Sequence, residues 1–144
     1  MDGAGKAPAP TEEGGETNDC EYREGSGGDW AIQPGHCCGQ YVVYIRSARS
    51  ESRDGTLPEG IALQTEQALA NLGAILTEAG FQRSDVVKVT VFITSMSDFP
   101  TVNAIYESFF GSHKPARSCI EVAALPKAGL VEIEAVAMKE ATGA

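Results

Sequence analysis

Two short runs hold the residues of this chain with the clearest chemical purpose: Pro115-Ala116-Arg117-Ser118-Cys119, and, beyond a Pro-Lys-Ala-Gly turn, Glu132-Ile133-Glu134-Ala135. An arginine keeps its charge at any physiological pH, and its planar fork matches a carboxylate through two parallel hydrogen bonds. Arg117 follows Pro115 at a strand entrance, so it sits on stiff backbone. Glu132 and Glu134 are two apart and share one strand face, while Val131, Ile133, Ala135 and Ala137 share the other. One face reads as core and the other carries carboxylates. Two kinds of chemistry fit these residues. Arg117 can bind a small organic acid, or it can pair with Glu132 or Glu134 in an interface. Cys119 falls on the same face as Arg117, but neither histidine is placed to activate it as a nucleophile.

The elements that position these residues are read from apolar periodicity. The β-rich runs 118–124 and 130–138 flank the short turn and predict a hairpin. Upstream, Ile61, Ala68, Leu69, Leu72, Ile75, Leu76 and Ala79 recur at helical steps, and Gly80 supplies the stop. Residues 86–94 predict a strand, with Val87, Val89, Val91 and Ile93 on one face and Lys88, Thr90 and Phe92 on the other. Ser97 or Asp98 caps a second helix, with Pro100 in its first turn, Val102, Ile105, Tyr106, Phe109 and Phe110 inward, and Gly111 at its end. Residues 40–45, QYVVYI, predict a further strand. The order strand, helix, strand, helix, strand, strand implies an α+β fold: a mixed sheet with two helices packed on one face.

The run from Pro115 to Cys119 and the Glu-Ile-Glu-Ala segment, together with Val86-Val87-Lys88, Asp98-Phe99 and Val102-Asn103-Ala104-Ile105-Tyr106, resemble the RidA family of reactive-intermediate deaminases. The match spans about residues 57–139 at consistent spacing. It implies a chorismate-mutase-like fold that assembles as a homotrimer, with ligand clefts between neighbouring subunits. It implies as substrate a small-molecule imine or enamine carboxylate, such as 2-aminoacrylate, hydrolysed to a 2-keto acid and ammonia. By the same resemblance Arg117 grips the carboxylate, Glu132 positions the attacking water, Cys119 contacts the ligand through its backbone and small side chain, and Asn103 lies near the cleft. The substrate is already reactive, so neither cofactor nor metal is required. Two family features have no clear counterpart. A Gly-Pro-Tyr-Ser-Gln-like motif is absent from the front of the chain, and the Ser-Gly-Gln-like turn after the first strand is replaced by Arg46-Ser47-Ala48-Arg49, where Ser47 is the nearest stand-in.

Composition bounds the alternatives. The 144 residues suit one domain plus extensions, and the 42% apolar fraction can build a core. Residues 1–39 hold nine of the sixteen glycines, eight acids and two bases. That segment reads as disordered or atypical, and residues 40–140 as the domain. Most of the net charge of −9 lies in the tail, and a negative body disfavours a nucleic-acid partner. No apolar run approaches the roughly 20 residues of a membrane helix, so no membrane partner is expected. No presequence is evident, and the expected location is the cytoplasm, with mitochondria the alternative. His36-Cys37-Cys38 lacks the ligand spacing of a zinc site, so no metal is expected. Besides the deaminase, two functions stay open: a non-catalytic trimer that binds metabolites, and a ribonuclease or translation inhibitor as reported for relatives.

Overall fold

The computed structural model describes the backbone of residues 23–24, 31–37 and 40–49 and, continuously, residues 54–140, with side chains over 54–139. Strands β1 (Arg23–Glu24), β2 (Ala31–Cys37) and β3 (Gln40–Arg49) precede helix α1 (Ile61–Glu78). Strand β4 (Val86–Ile93), helix α2 (Phe99–Phe110), β5 (Ala116–Glu121) and β6 (Val131–Glu140) follow. All six strands form one sheet in the order β1-β2-β3-β6-β4-β5. The pairings are antiparallel except β4 with β5, which is parallel. This is the expected α+β mixed sheet. Within the segment read as disordered or atypical, β1 and β2 extend the sheet beyond β3. The other residues of 1–39 lie outside the described set.

Helix α1 buries the stripe its periodicity predicts, with Ala68, Leu69, Leu72 and Leu76 sealed from water. It stops where Gly80 takes a left-handed φ of 77°, a conformation that costs glycine little. Lys139 then closes the helix end, donating to the Gly80 carbonyl at 2.7 Å while its ammonium lies 4.6 Å from the Phe81 ring. Buried Gln64 ties α1 to the sheet: its amide donates to the Pro58 carbonyl at 3.0 Å, and its oxygen accepts the Leu130 N–H at 2.8 Å. Helix α2 follows Asp98, carries Pro100 in its first turn and ends at Gly111, as expected. The Asp98 side chain, however, makes no capping bond. Val102, Tyr106 and Phe110 are its buried residues, while Ile105 and Phe109 are only partly covered.

Three sequence expectations are corrected. The hairpin between the last two strands does not form, because β6 lies between β3 and β4 and β5 occupies the sheet edge. The parallel β4–β5 pair requires the α2 crossover. β5 also carries Arg117 and Glu121 on its helix-side face, and those charges reach water only at an edge. β6 buries Val131, Ile133, Ala135 and Ala137 on that face and fits the centre. The Pro-Lys-Ala stretch is a 3-10 turn in a longer connection, with Lys127 and Ala128 both at φ 55°.

Strand β4 does not place Val87 with the core. Val86 pairs with Ala137 and Lys88 with Val136, so Val87 is the extra residue of a β-bulge and is 43% exposed. Strand β3 runs four residues past the expected 45. A second bulge between Ile45 and Ala48 lets Arg49 pair with Glu132, and Ser47 lies inside that irregularity.

Candidate functional site

Arg117 is the second residue of β5 and aligns with Val89 of β4, while Cys119 aligns with Val91. Val89 and Val91 are buried beneath the helices, so Arg117 and Cys119 share the helix-side face at the sheet edge. There the arginine meets α2. Its Nη1 donates to Asn103 Oδ1 at 2.7 Å, and its Cζ lies 4.6 Å from the Tyr106 ring centroid and 5.5 Å from that of Phe99. Phe99, Asn103 and Tyr106 recur at steps of four and three, which lines them up on one side of the helix. Asn103 in turn donates through Nδ2 to Glu107 Oε1 at 3.1 Å. The guanidinium remains exposed, and among the described residues no carboxylate pairs with it.

Burial sets the protonation of the two neighbours. The Tyr106 phenol is pushed up to about 12 by loss of water, against the opposing pull of the Arg117 charge. Its hydroxyl is buried without a hydrogen-bond partner. Burial likewise raises the Cys119 thiol above its ordinary value, while Arg117 and a backbone hydrogen bond with Ile120 pull it down. At neutral pH Cys119 is therefore a thiol, which does not favour a nucleophilic role.

Of the residues singled out in the sequence, Arg117, Asn103 and Cys119 come together, and Glu132 does not join them. Glu132 aligns with Phe92 and Glu134 with Thr90, which places both carboxylates on the open face of the sheet. Lys88 and Ser118 share that face and meet at 2.8 Å. One chain cannot bring Arg117 and Glu132 to the same side of its own sheet, so the alternative of an Arg117 pair with Glu132 or Glu134 within the chain is not made. His113, after α2, contacts the Val86 carbonyl at 2.7 Å through Nε2. A carbonyl only accepts, so that nitrogen carries the proton.

Tyr106 reads from sequence as core, Phe99 enters there only through the Asp98-Phe99 match to the family, and Glu107 goes unremarked. Their helical spacing from Asn103 is the signal that marks them as one face. A groove of about 460 Å³ between α1 and α2, lined by Leu69, Arg83, Ile105 and Phe109, contains none of the predicted residues. In it Arg83 covers the Phe109 ring at 4.0 Å and donates to the Phe109 carbonyl at 2.9 Å. Among the described residues no cluster of three His, Cys, Asp or Glu side chains could hold a metal, and no helix is long and apolar enough to cross a membrane. The side chains of His36, Cys37 and Cys38 lie outside the described set.

Known proteins resemble this arrangement throughout the domain. The family model described as Endoribonuclease L-PSP matches residues 39–139. The 2-iminobutanoate/2-iminopropanoate deaminase of Escherichia coli K12 is 49% identical over 104 residues, covering 70% of this chain and 81% of its own length. The structure of RidA from an Antarctic Psychrobacter superposes with a TM-score of 0.69 at 34% identity, covering 78% of this chain and 90% of that one. E. coli TdcF with bound serine superposes with a TM-score of 0.68 at 37% identity, covering 75% of this chain and 87% of that one. With the family model matched through both helices and the Arg117 strand, and with a relative 49% identical over 81% of its own length, the chain belongs to the RidA family.

Proposed function

We propose that this protein hydrolyses small 2-imino and enamine acids, 2-aminoacrylate among them, to 2-keto acids and ammonia. The observation that carries this reading is the state of Arg117. The guanidinium is exposed, steadied by an amide and two aromatic rings, and has no carboxylate beside it among the described residues. Such a group is ready to accept an anionic ligand. The name of the E. coli relative and the serine held by TdcF support a ligand of amino-acid size.

Arg117 grips the substrate carboxylate with the N–H groups that Asn103 leaves free. An enamine substrate first takes a proton at its β-carbon and becomes the imine. Glu132, presented by a second copy of the chain, orients a water molecule. The water oxygen bonds to C2 as its proton passes to the carboxylate, and that proton then moves to the nitrogen. As the C–N bond breaks, the C2 hydroxyl proton passes to the departing nitrogen, so that ammonia leaves and the hydroxyl oxygen becomes the keto group. The substrate's own reactivity supplies the driving force, so positioning and polarised water suffice. Cys119 contributes as a small side chain at the wall.

The open face supports a second copy. There Phe92, Val136 and Met138 are only half-buried and Ile120 is 45% exposed, interleaved with Lys88, Glu132 and Glu134. A sheet face of this composition is suited to packing against its own kind, and a homotrimer is the assembly we favour. The test is release of ammonia and keto acid from 2-aminoacrylate generated in situ, with Arg117→Ala beside the wild type. Turnover that depends on Arg117 supports the proposal, and turnover indifferent to it rejects the site. A second reading, a non-catalytic carboxylate binder, is favoured by the absent Gly-Pro-Tyr-Ser-Gln-like motif. Retained keto-acid binding without any turnover would select it.

A further inference from the structure

We propose that Glu107, one helical turn beyond Asn103, is a positioning residue that fixes which end of the Asn103 amide faces Arg117. This rests on the reading of Arg117 as the ligand's carboxylate anchor.

The hydrogen bonds run from Arg117 Nη1 to Asn103 Oδ1 at 2.7 Å, and from Asn103 Nδ2 to Glu107 Oε1 at 3.1 Å. Neither end of this relay is ambiguous. A guanidinium can only donate, and an ionised carboxylate can only accept. An asparagine between them is forced to present oxygen to the arginine and its NH2 to the glutamate. Removing the glutamate leaves the amide free to rotate. A donor in its place reverses the amide, which then presents N–H to N–H at Arg117.

The helix itself gives no reason for an acid at this position. Glu107 lies in the last turn of α2, which contains no basic residue and ends at Gly111. The negative end of the helix dipole disfavours a carboxylate there and favours a cation. Glu107 is exposed and accepts the Asn103 hydrogen bond, and no core packing accounts for it. Its local cost is offset only by what it does to the amide. Phe99 and Tyr106 hold the guanidinium against the helix by their ring faces, but a ring face does not choose the rotation of the fork. The amide oxygen supplies that choice, and Glu107 supplies the amide.

The decisive variant is Glu107→Lys. A positive charge at this site attracts an anionic substrate, so simple electrostatics predicts a lower KM. The relay predicts the opposite, a KM raised about five- to ten-fold with kcat within two-fold of wild type, because a charge-assisted hydrogen bond that orders the fork is lost. Helix stability is unchanged or improved, since lysine suits that turn. Glu107→Gln keeps an acceptor for Nδ2 and is expected to stay within about two-fold of wild type. Glu107→Leu, which cannot reverse the amide but no longer anchors it, falls between the two and serves if the lysine variant folds poorly. In an Asn103→Ala background, Glu107→Lys has no further unfavourable effect on KM.

An unchanged or lowered KM in Glu107→Lys, with Arg117→Ala still deficient, overturns the positioning role alone. An Arg117→Ala enzyme with normal KM and kcat overturns the site on which it depends. Equal losses of kcat and thermal stability in all three Glu107 variants would make the residue structural and also reject the proposal.

Discussion

On the helix side of the sheet Val89, Val91, Ile93, Ile133 and Ala135 are sealed from water, whereas on the other side Lys88, Thr90, Phe92, Glu132 and Glu134 remain partly exposed on the same two strands. The first face is finished within one chain. The second is a charged and apolar mixture that a single chain leaves open. Arg117 belongs to the finished face but stands at its edge, where β5 runs out of neighbours and α2 meets solvent. Glu132 belongs to the unfinished one. The proposed chemistry therefore spans two faces that only assembly can bring together.

Substitutions on the two faces should differ in kind. Ile133→Ala, on the sealed side of β6, is expected to cost about 2–5 kcal/mol of stability through lost burial and the cavity left behind, read by denaturant unfolding. A stability change near zero there would mean that the face is not a core. Arg117→Ala should lower kcat/KM for imine hydrolysis about a hundred-fold, since it removes two charge-assisted hydrogen bonds, while leaving the fold intact. Glu132→Gln, on the open side one residue from Ile133, should cut kcat by about a hundred-fold at similar stability, measured by steady-state ammonia release. If Glu132→Gln instead unfolds the protein and leaves the activity of the survivors unchanged, the open face is structural and the comparison fails.

Smaller effects attach to Tyr106, which straddles core and site. A buried hydroxyl without a partner costs about 1–3 kcal/mol, so Tyr106→Phe should stabilise the protein by about 1 kcal/mol in thermal unfolding. The same residue gives a pH signature. In the unfolded chain the phenol ionises near 10, but in the fold it holds its proton to about 12. The folded state then binds more protons across that window, so stability is full below pH 10 and falls as the pH rises toward 12. Tyr106→Phe removes that part of the alkaline slope, and an identical slope in both proteins would place the titration elsewhere.

Much of this was legible in the sequence, and what was not has physical causes. Helix α1 was fixed by seven apolar residues at helical steps and by Gly80, and α2 by Pro100 and Gly111. The alternation of Glu132 and Glu134 against Ile133 and Ala135 marked the two faces of β6 directly. Strand order was not visible, because a short Pro-Lys-Ala-Gly stretch looks the same whether it turns back into a hairpin or passes over a neighbouring strand. The bulge that exposes Val87 was hidden for a similar reason: one inserted residue reverses the alternation without changing residue types. In the site, the Arg117 strand could be found from its motif. The placement of Glu132 behind the sheet required the register, and the Phe99, Tyr106 and Glu107 contacts required seeing α2 beside β5.

The most direct test of a site shared between faces is complementation between two inactive chains. Arg117→Ala and Glu132→Gln proteins, unfolded together in equal amounts and refolded, should regain about a quarter of wild-type imine hydrolysis, because each shared site then has one chance in about four of receiving both native residues. Activity no higher than that of either variant refolded alone would contradict a site built from two copies.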